Sequence, residues 1–308
     1  MRAHLLLSAF LLAGIVSAQI PGLGGNQPKI PGVGDLFKKG PSITTSLEDA
    51  KWEAKDRDTF NPEIKDLFSL DLTPEGSFVL RAGGWAGVVQ SYCLKAGTHG
   101  PGGGDGYLFA PVKGPFEGAV SAVGRNSVAH PEIPQRTIQL LLWAMIARTK
   151  FMDLPRELQA AAAKLLTTKQ ISDINGGALA LLTDERLGGA IVKEPPLVRQ
   201  ALEAENRLRG MLTNPASTFE QMEAVAVLTG AVERGKGSRD VPFSRWSLHP
   251  DGYYVRYQPS GYSTTRLEVY VPENSKAIGK KFDPASQIAV PGNTARQRLL
   301  QTARKQKA

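Results

Sequence analysis

Cys93 is the only cysteine among 308 residues. No disulfide can therefore staple this chain internally, and its own buried core must hold the fold. That constraint is sharp because the chain opens like an exported protein. Arg2 and His4 make a short basic start, LLLSAFLLAGIV (Leu5 to Val16) is an apolar run too short to span a membrane, and Val16-Ser17-Ala18 suits signal peptidase. Residues 1–18 are thus predicted to be a signal peptide, and the expected address is exported: periplasmic, cell-surface or secreted. No later run is apolar for long enough to be a membrane-spanning helix, so the mature chain is expected not to be transmembrane.

The mature chain, beginning at Gln19, is long enough for one large domain or two smaller ones, with an ample core. The formal net charge of +8 falls by one with the loss of Arg2. The remaining excess is thinly spread, apart from TARQRLLQTARKQKA (Thr294 to Ala308). It reads as a solubilising surface or a loose attraction to anionic cell surfaces. No recognition module for nucleic acid is present.

Residues 19–45 are rich in glycine and proline (IPGLGGNQPKIPGVGD) and lack a hydrophobic period, which predicts a disordered leader. A single α+β domain is expected over residues 46–290, followed by a basic tail over residues 291–308. LEDAKWEAKDRDTF (Leu47 to Phe60) reads as a short helix. SFVLRAG and WAGVVQSYCL, divided at Gly83-Gly84, read as an N-terminal hairpin with Cys93 near the end of its second strand. A helical block is expected over residues 115–235. Its clearest segments are Pro134 to Lys150, Pro155 to Leu166, Thr168 to Asn175, Pro195 to Leu212 and Thr218 to Glu233, several with proline in the first turn. YYVRYQ and RLEVYV alternate about PSGYS, a C-terminal hairpin. The N- and C-terminal hairpins are expected to share one sheet beside the helical block.

An unpaired thiol in an oxidising compartment is tolerable when it is deeply buried, bridged to another chain or chemically masked. Burial alone would make Cys93 an inert small hydrophobe. Masking has a candidate partner in IQLLLWAMIA (Ile138 to Ala147), an almost wholly apolar stretch whose one polar side chain is Gln139. A buried carboxamide needs hydrogen-bond partners or costs roughly 1–3 kcal/mol. A cysteine sulfur that attacks such a carboxamide expels ammonia and leaves an internal thioester. That chemistry needs the glutamine held against the sulfur, donors at its carbonyl oxygen, and exclusion of water. Tyr92, Tyr107 and Trp143 are the aromatic residues expected to shield it.

Tyr92-Cys93-Leu94, followed by Ile138-Gln139-Leu140-Leu141-Leu142-Trp143, resembles the signature of bacterial thioester domains found in surface adhesins. Those domains carry an aromatic or aliphatic residue before a cysteine, then a Thr-Gln-x-Ala-aliphatic-Trp motif. Here Gln139, Leu142 and Trp143 match, while Ile138 and Leu141 replace the threonine and alanine. The resemblance implies that Cys93 and Gln139 are thioester partners. It also implies covalent, single-turnover capture of an amine on a surface protein or other ligand, without a cofactor. Asp105 or His99 would move protons.

A cysteine hydrolase is the reading from another class. Cys93 would be its nucleophile, His99 or His130 its base, and Asp105 the orienting group. His249 is read as a hairpin-turn residue. GPGGGDG (Gly100 to Gly106) lacks the Gly-Lys-Ser/Thr ending of a phosphate loop, and the histidines lack metal-ligand spacing.

Overall fold

The computed structural model describes residues 41–50, 61–182 and 196–306. Strands β1 (Ile64–Asp66) and β2 (Phe78–Val79) precede a long β3 (Gly83–Cys93), then β4 (Thr98–His99) and β5 (Tyr107–Pro111). The helices follow: α1 (Glu117–Asn126), α2 (Gln135–Ile146), α3 (Arg156–Leu165), α4 (Thr168–Leu182), α5 (Pro196–Leu212) and α6 (Phe219–Ala226). The chain closes with β6 (Val227–Leu228), β7 (Ser247–Leu248), β8 (Tyr254–Pro259), β9 (Thr264–Val271), β10 (Lys281–Phe282), β11 (Gln287–Pro291) and β12 (Leu299–Lys305). The fold is α+β.

One large sheet runs in the order β5-β11-β12-β3-β9-β8-β7 with antiparallel neighbours, and β1 adds to β3 in parallel. Strands from both ends of the sequence therefore share a sheet. β3 lies in its middle and is buried along almost its whole length, which is why its sequence shows little alternation. One core packs between the sheet and the helices, with Ile138, Leu142, Trp143, Leu208 and Leu300 at its heart. A second, on Val89, Tyr257, Leu267 and Val269, is closed by Phe78 and Phe282.

The C-terminal hairpin is present as β8 and β9, paired from Tyr254↔Tyr270 to Pro259↔Thr265. The N-terminal hairpin is not. β3 starts at Gly83 itself, and β2 pairs with β10 through Phe78↔Phe282. The glycines mark a close approach instead: a Cβ on Gly84 would lie 2.5 Å from the Glu63 carbonyl oxygen on the entry to β1.

The basic tail is also corrected. Residues 287–305 supply β11 and β12, and β12 is an interior strand between β11 and β3. Its run LLQTA (299–303) is buried, and its cations sit at the end. Arg304 donates to the carbonyls of Pro131 (3.3 Å) and Ile133 (2.9 Å), and the Lys305 ammonium stands 5.2 Å from the Phe68 ring centroid. At the other end, residues 41–45 belong to the packed domain rather than to a leader. Ser42, Ile43 and Thr45 are buried, and the Ser42 hydroxyl meets the carbonyls of Met145 and Ile146. The signal peptide, the leader up to residue 40 and most of the helix expected over 47–60 lie outside the described residues.

The helix expected over 218–233 ends at Ala226. Its start is the capping box of Thr218 and Gln221. Its end is taken over by the segment after Cys93: Gly97 N–H and the Gln297 side chain both donate to the Ala226 carbonyl, at 3.0 and 2.9 Å. Val227 and Leu228 then pair with Thr98 and His99 as a short parallel ladder. This stop sets α6 against the exit of β3.

Candidate functional site at the end of strand β3

β9 stops pairing with β3 at Gln90, where Thr264 is its partner, and Ser91 N–H still reaches Ser263 O. Beyond that point the edge of β3 would expose the backbone of Cys93. Helix α2 covers it. Gln135 Nε2 donates to Ser263 O at 2.6 Å and Ser91 O at 3.3 Å. One turn later Gln139 meets Cys93 twice: Oε1 accepts from Cys93 N–H at 2.9 Å, and Nε2 donates to Cys93 O at 3.1 Å. Four helical residues rise about 6 Å, and two strand residues advance about 6.6 Å. Glutamines at i and i+4 therefore match strand residues at j and j+2, and the helix stands in for the missing strand. Far down α2, the Ser42 hydroxyl and the Arg209 guanidinium occupy the last carbonyls and hold the helix at its other end.

This arrangement places the Gln139 amide carbon beside the residue that carries the sulfur. The Cys93 N–H is aimed at Oε1, the atom on which negative charge grows when a nucleophile attacks that carbon. Water is kept out: Cys93 is 0% and Gln139 2% exposed. Trp143, one turn after Gln139, is fully buried and stacks on Phe219 of α6, ring centroids 5.6 Å apart. Burial, reinforced by the charge of Glu223, pushes the Cys93 thiol well above its ordinary pKa.

The other aromatic residues divide. Tyr107, at the start of β5, is buried within electrostatic reach of Cys93 and Asp105. Burial raises its pKa, and its hydroxyl has no hydrogen-bond partner. Tyr92 is buried in the same sheet–helix core as Cys93, and its hydroxyl donates to Gln90 Oε1 at 2.9 Å.

Asp105 is held by Arg296 at 2.8 Å and accepts from Gly102 N–H at 2.8 Å, closing the glycine loop. His99 lies in β4, its Nδ1 buried without a partner and its pKa lowered by burial and Arg296. His130 pairs with Glu132 at 3.0 Å, and His249 stacks on Tyr253 with centroids 4.2 Å apart. Among the described residues no histidine is hydrogen-bonded to the sulfur, so the cysteine–histidine pair of a hydrolase is not assembled.

Sequence reading missed three contributors. Gln135 was legible only through its i, i+4 relation to Gln139. Glu223 and Tyr262 carry no local signal. Tyr262, in the turn between β8 and β9, donates its hydroxyl proton to Glu223 Oε1. Ser91 Oγ donates to the Tyr262 carbonyl at 2.9 Å and ties that turn to β3. Glu223 and Tyr262 line a cleft of about 540 Å³, with Gly100, Pro101 and Arg296 among its walls. No helix of the described residues is long and apolar enough to cross a membrane. The chain matches no protein-family model, and comparison with curated proteins and with solved structures finds no match.

Proposed function

We propose that this is an exported covalent binder in which Cys93 and Gln139 form an internal thioester that captures a surface amine. The observation that carries the reading is the double hydrogen bond between the Gln139 carboxamide and the Cys93 backbone. In bond formation Sγ bonds to the Gln139 amide carbon, the carbon–nitrogen bond breaks, and the thiol proton leaves with the nitrogen as ammonia. In capture an amine nitrogen bonds to the same carbon, the carbon–sulfur bond breaks, and a proton from the amine ends on the sulfur. The product is a stable amide and a free thiol, so each molecule acts once. Burial of both partners favours this reading because an activated acyl group exposed to water would be hydrolysed.

An inert buried cysteine is the second reading. It is favoured by the raised pKa of the thiol and by the use of the Gln139 amide to satisfy a strand edge. Methylamine separates the two. In the covalent reading, the tryptic peptide from Thr137 to Arg148 acquires a methylamide at Gln139 while one thiol becomes titratable. An unmodified peptide, and a thiol that titrates only on unfolding, would establish the inert cysteine.

A further inference from the structure

The thioester chemistry needs a proton acceptor that Cys93 and Gln139 do not contain. The sulfur stays protonated, because burial and the Glu223 charge disfavour the thiolate. Of the candidates read from sequence, Asp105 is engaged by Arg296 and Gly102, His130 by Glu132 and His249 by Tyr253, and His99, its Nδ1 unpartnered, is not among the charges that act on Cys93. The carboxylate that Cys93 feels is Glu223. It projects from α6, the helix whose end is pinned by Gly97 and Gln297 just past Cys93. The Tyr262 hydroxyl points it, and among the described residues Tyr262 is its hydrogen-bond partner. The Glu223–Tyr262 pair lines the open cleft, and Ser91, two residues before Cys93, ties Tyr262 to β3 through its hydroxyl.

We infer that Glu223, oriented by Tyr262, is the proton carrier for both making and opening the Cys93–Gln139 bond, and that the adjoining cleft is the route by which the amine arrives. The inference rests on the thioester reading. In formation, Glu223 takes the thiol proton as Sγ bonds to the amide carbon, then delivers it to the departing nitrogen. Ammonia leaves, and the carboxylate is restored. In capture, an alkylammonium ion is drawn to the carboxylate and loses one proton through it to water. The neutral nitrogen attacks, and its second proton passes through Glu223 to the departing sulfur. Protons balance in both directions without a cofactor. A carboxylate here also favours a primary amine, which arrives as a cation, over a neutral sugar hydroxyl.

The test compares intact masses and methylamine rates for the mature chain and its Glu223→Gln, Tyr262→Phe and Glu223→Ala variants. The wild-type chain must first be one ammonia lighter than its sequence; if it is not, the thioester reading itself fails. Given that bond, Glu223→Gln is expected to slow formation or methylamine opening by at least about tenfold, the low end of general acid–base effects being near a hundredfold. Tyr262→Phe retains the carboxylate and is expected to be slowed less. Added formate should restore reactivity to Glu223→Ala, where a merely structural role would not respond, and circular dichroism confirms that each variant is folded. A smaller than tenfold change in Glu223→Gln, or no response of Glu223→Ala to formate, would overturn the assignment while leaving the thioester intact.

Discussion

The Gln139 carboxamide bridges the N–H and C=O of one residue, Cys93, at 2.9 and 3.1 Å. It thereby completes a strand edge and sets an amide carbon beside the backbone of the residue that carries the chain's single thiol. Removing the glutamine and removing the thiol should therefore have unequal costs. Gln139→Ala leaves two buried backbone groups unpaired and should lose roughly 2–4 kcal/mol of stability. Cys93→Ala keeps the backbone groups and should lose about 1 kcal/mol. Neither variant can form the thioester, so urea unfolding of the two reads the bridge alone. Equal midpoints would contradict it.

Phe219 stacks on Trp143 from α6, and Trp143 lies one turn after Gln139 on the same stripe of α2. Phe219→Ala should admit water to the acyl carbon while leaving Cys93 and Gln139 in place. The expected outcome is faster spontaneous hydrolysis, seen as a gain of one water in intact mass over hours at neutral pH. A hydrolysis rate equal to that of the wild type would show that the stacked pair does not shield the bond.

β12 offers a test of the fold. Leu300 is fully buried opposite Tyr92 in the interior strand. Leu300→Ala should cost about 2–5 kcal/mol, whereas a residue in a solvated tail would change stability by less than about 0.5 kcal/mol. Thermal unfolding of the variant decides between them.

His249 is packed between Phe109 and Tyr253, and burial lowers its pKa to about 4. In the unfolded chain it titrates near about 6.5. The folded state thus binds fewer protons between those values, and stability falls as pH drops through that window. His249→Phe removes this contribution. The stability of the wild type relative to the variant should therefore be constant above pH of about 7 and decline toward pH of about 4. A flat difference across the window would mean that the imidazole is not desolvated.

The legible part of this molecule was what local pattern encodes. Apolar periodicity and proline placed α2, α3 and α5 within a few residues, and PSGYS fixed the β8–β9 turn. The buried run IQLLLWAMIA and its single carboxamide drew attention to Gln139, and Cys93 drew attention to itself. What failed was non-local. Gly83-Gly84 reads as a turn because glycine serves both tight turns and close strand approach, and β1 arriving from elsewhere selects the second. TARQRLLQTARKQKA reads as a basic tail because its arginine and lysine stems lie along other surfaces, which composition cannot reveal. Glu223 and Tyr262 meet only through the tertiary fold.

The most direct test of the central claim is the intact mass of the untreated mature protein beside its Cys93→Ala variant. The thioester account expects the wild-type chain to be one ammonia lighter than its sequence and the variant to match its own sequence. A wild-type mass equal to the sequence, with Cys93 present as a free thiol, would contradict it and leave Gln139 as a clasp on the edge of β3.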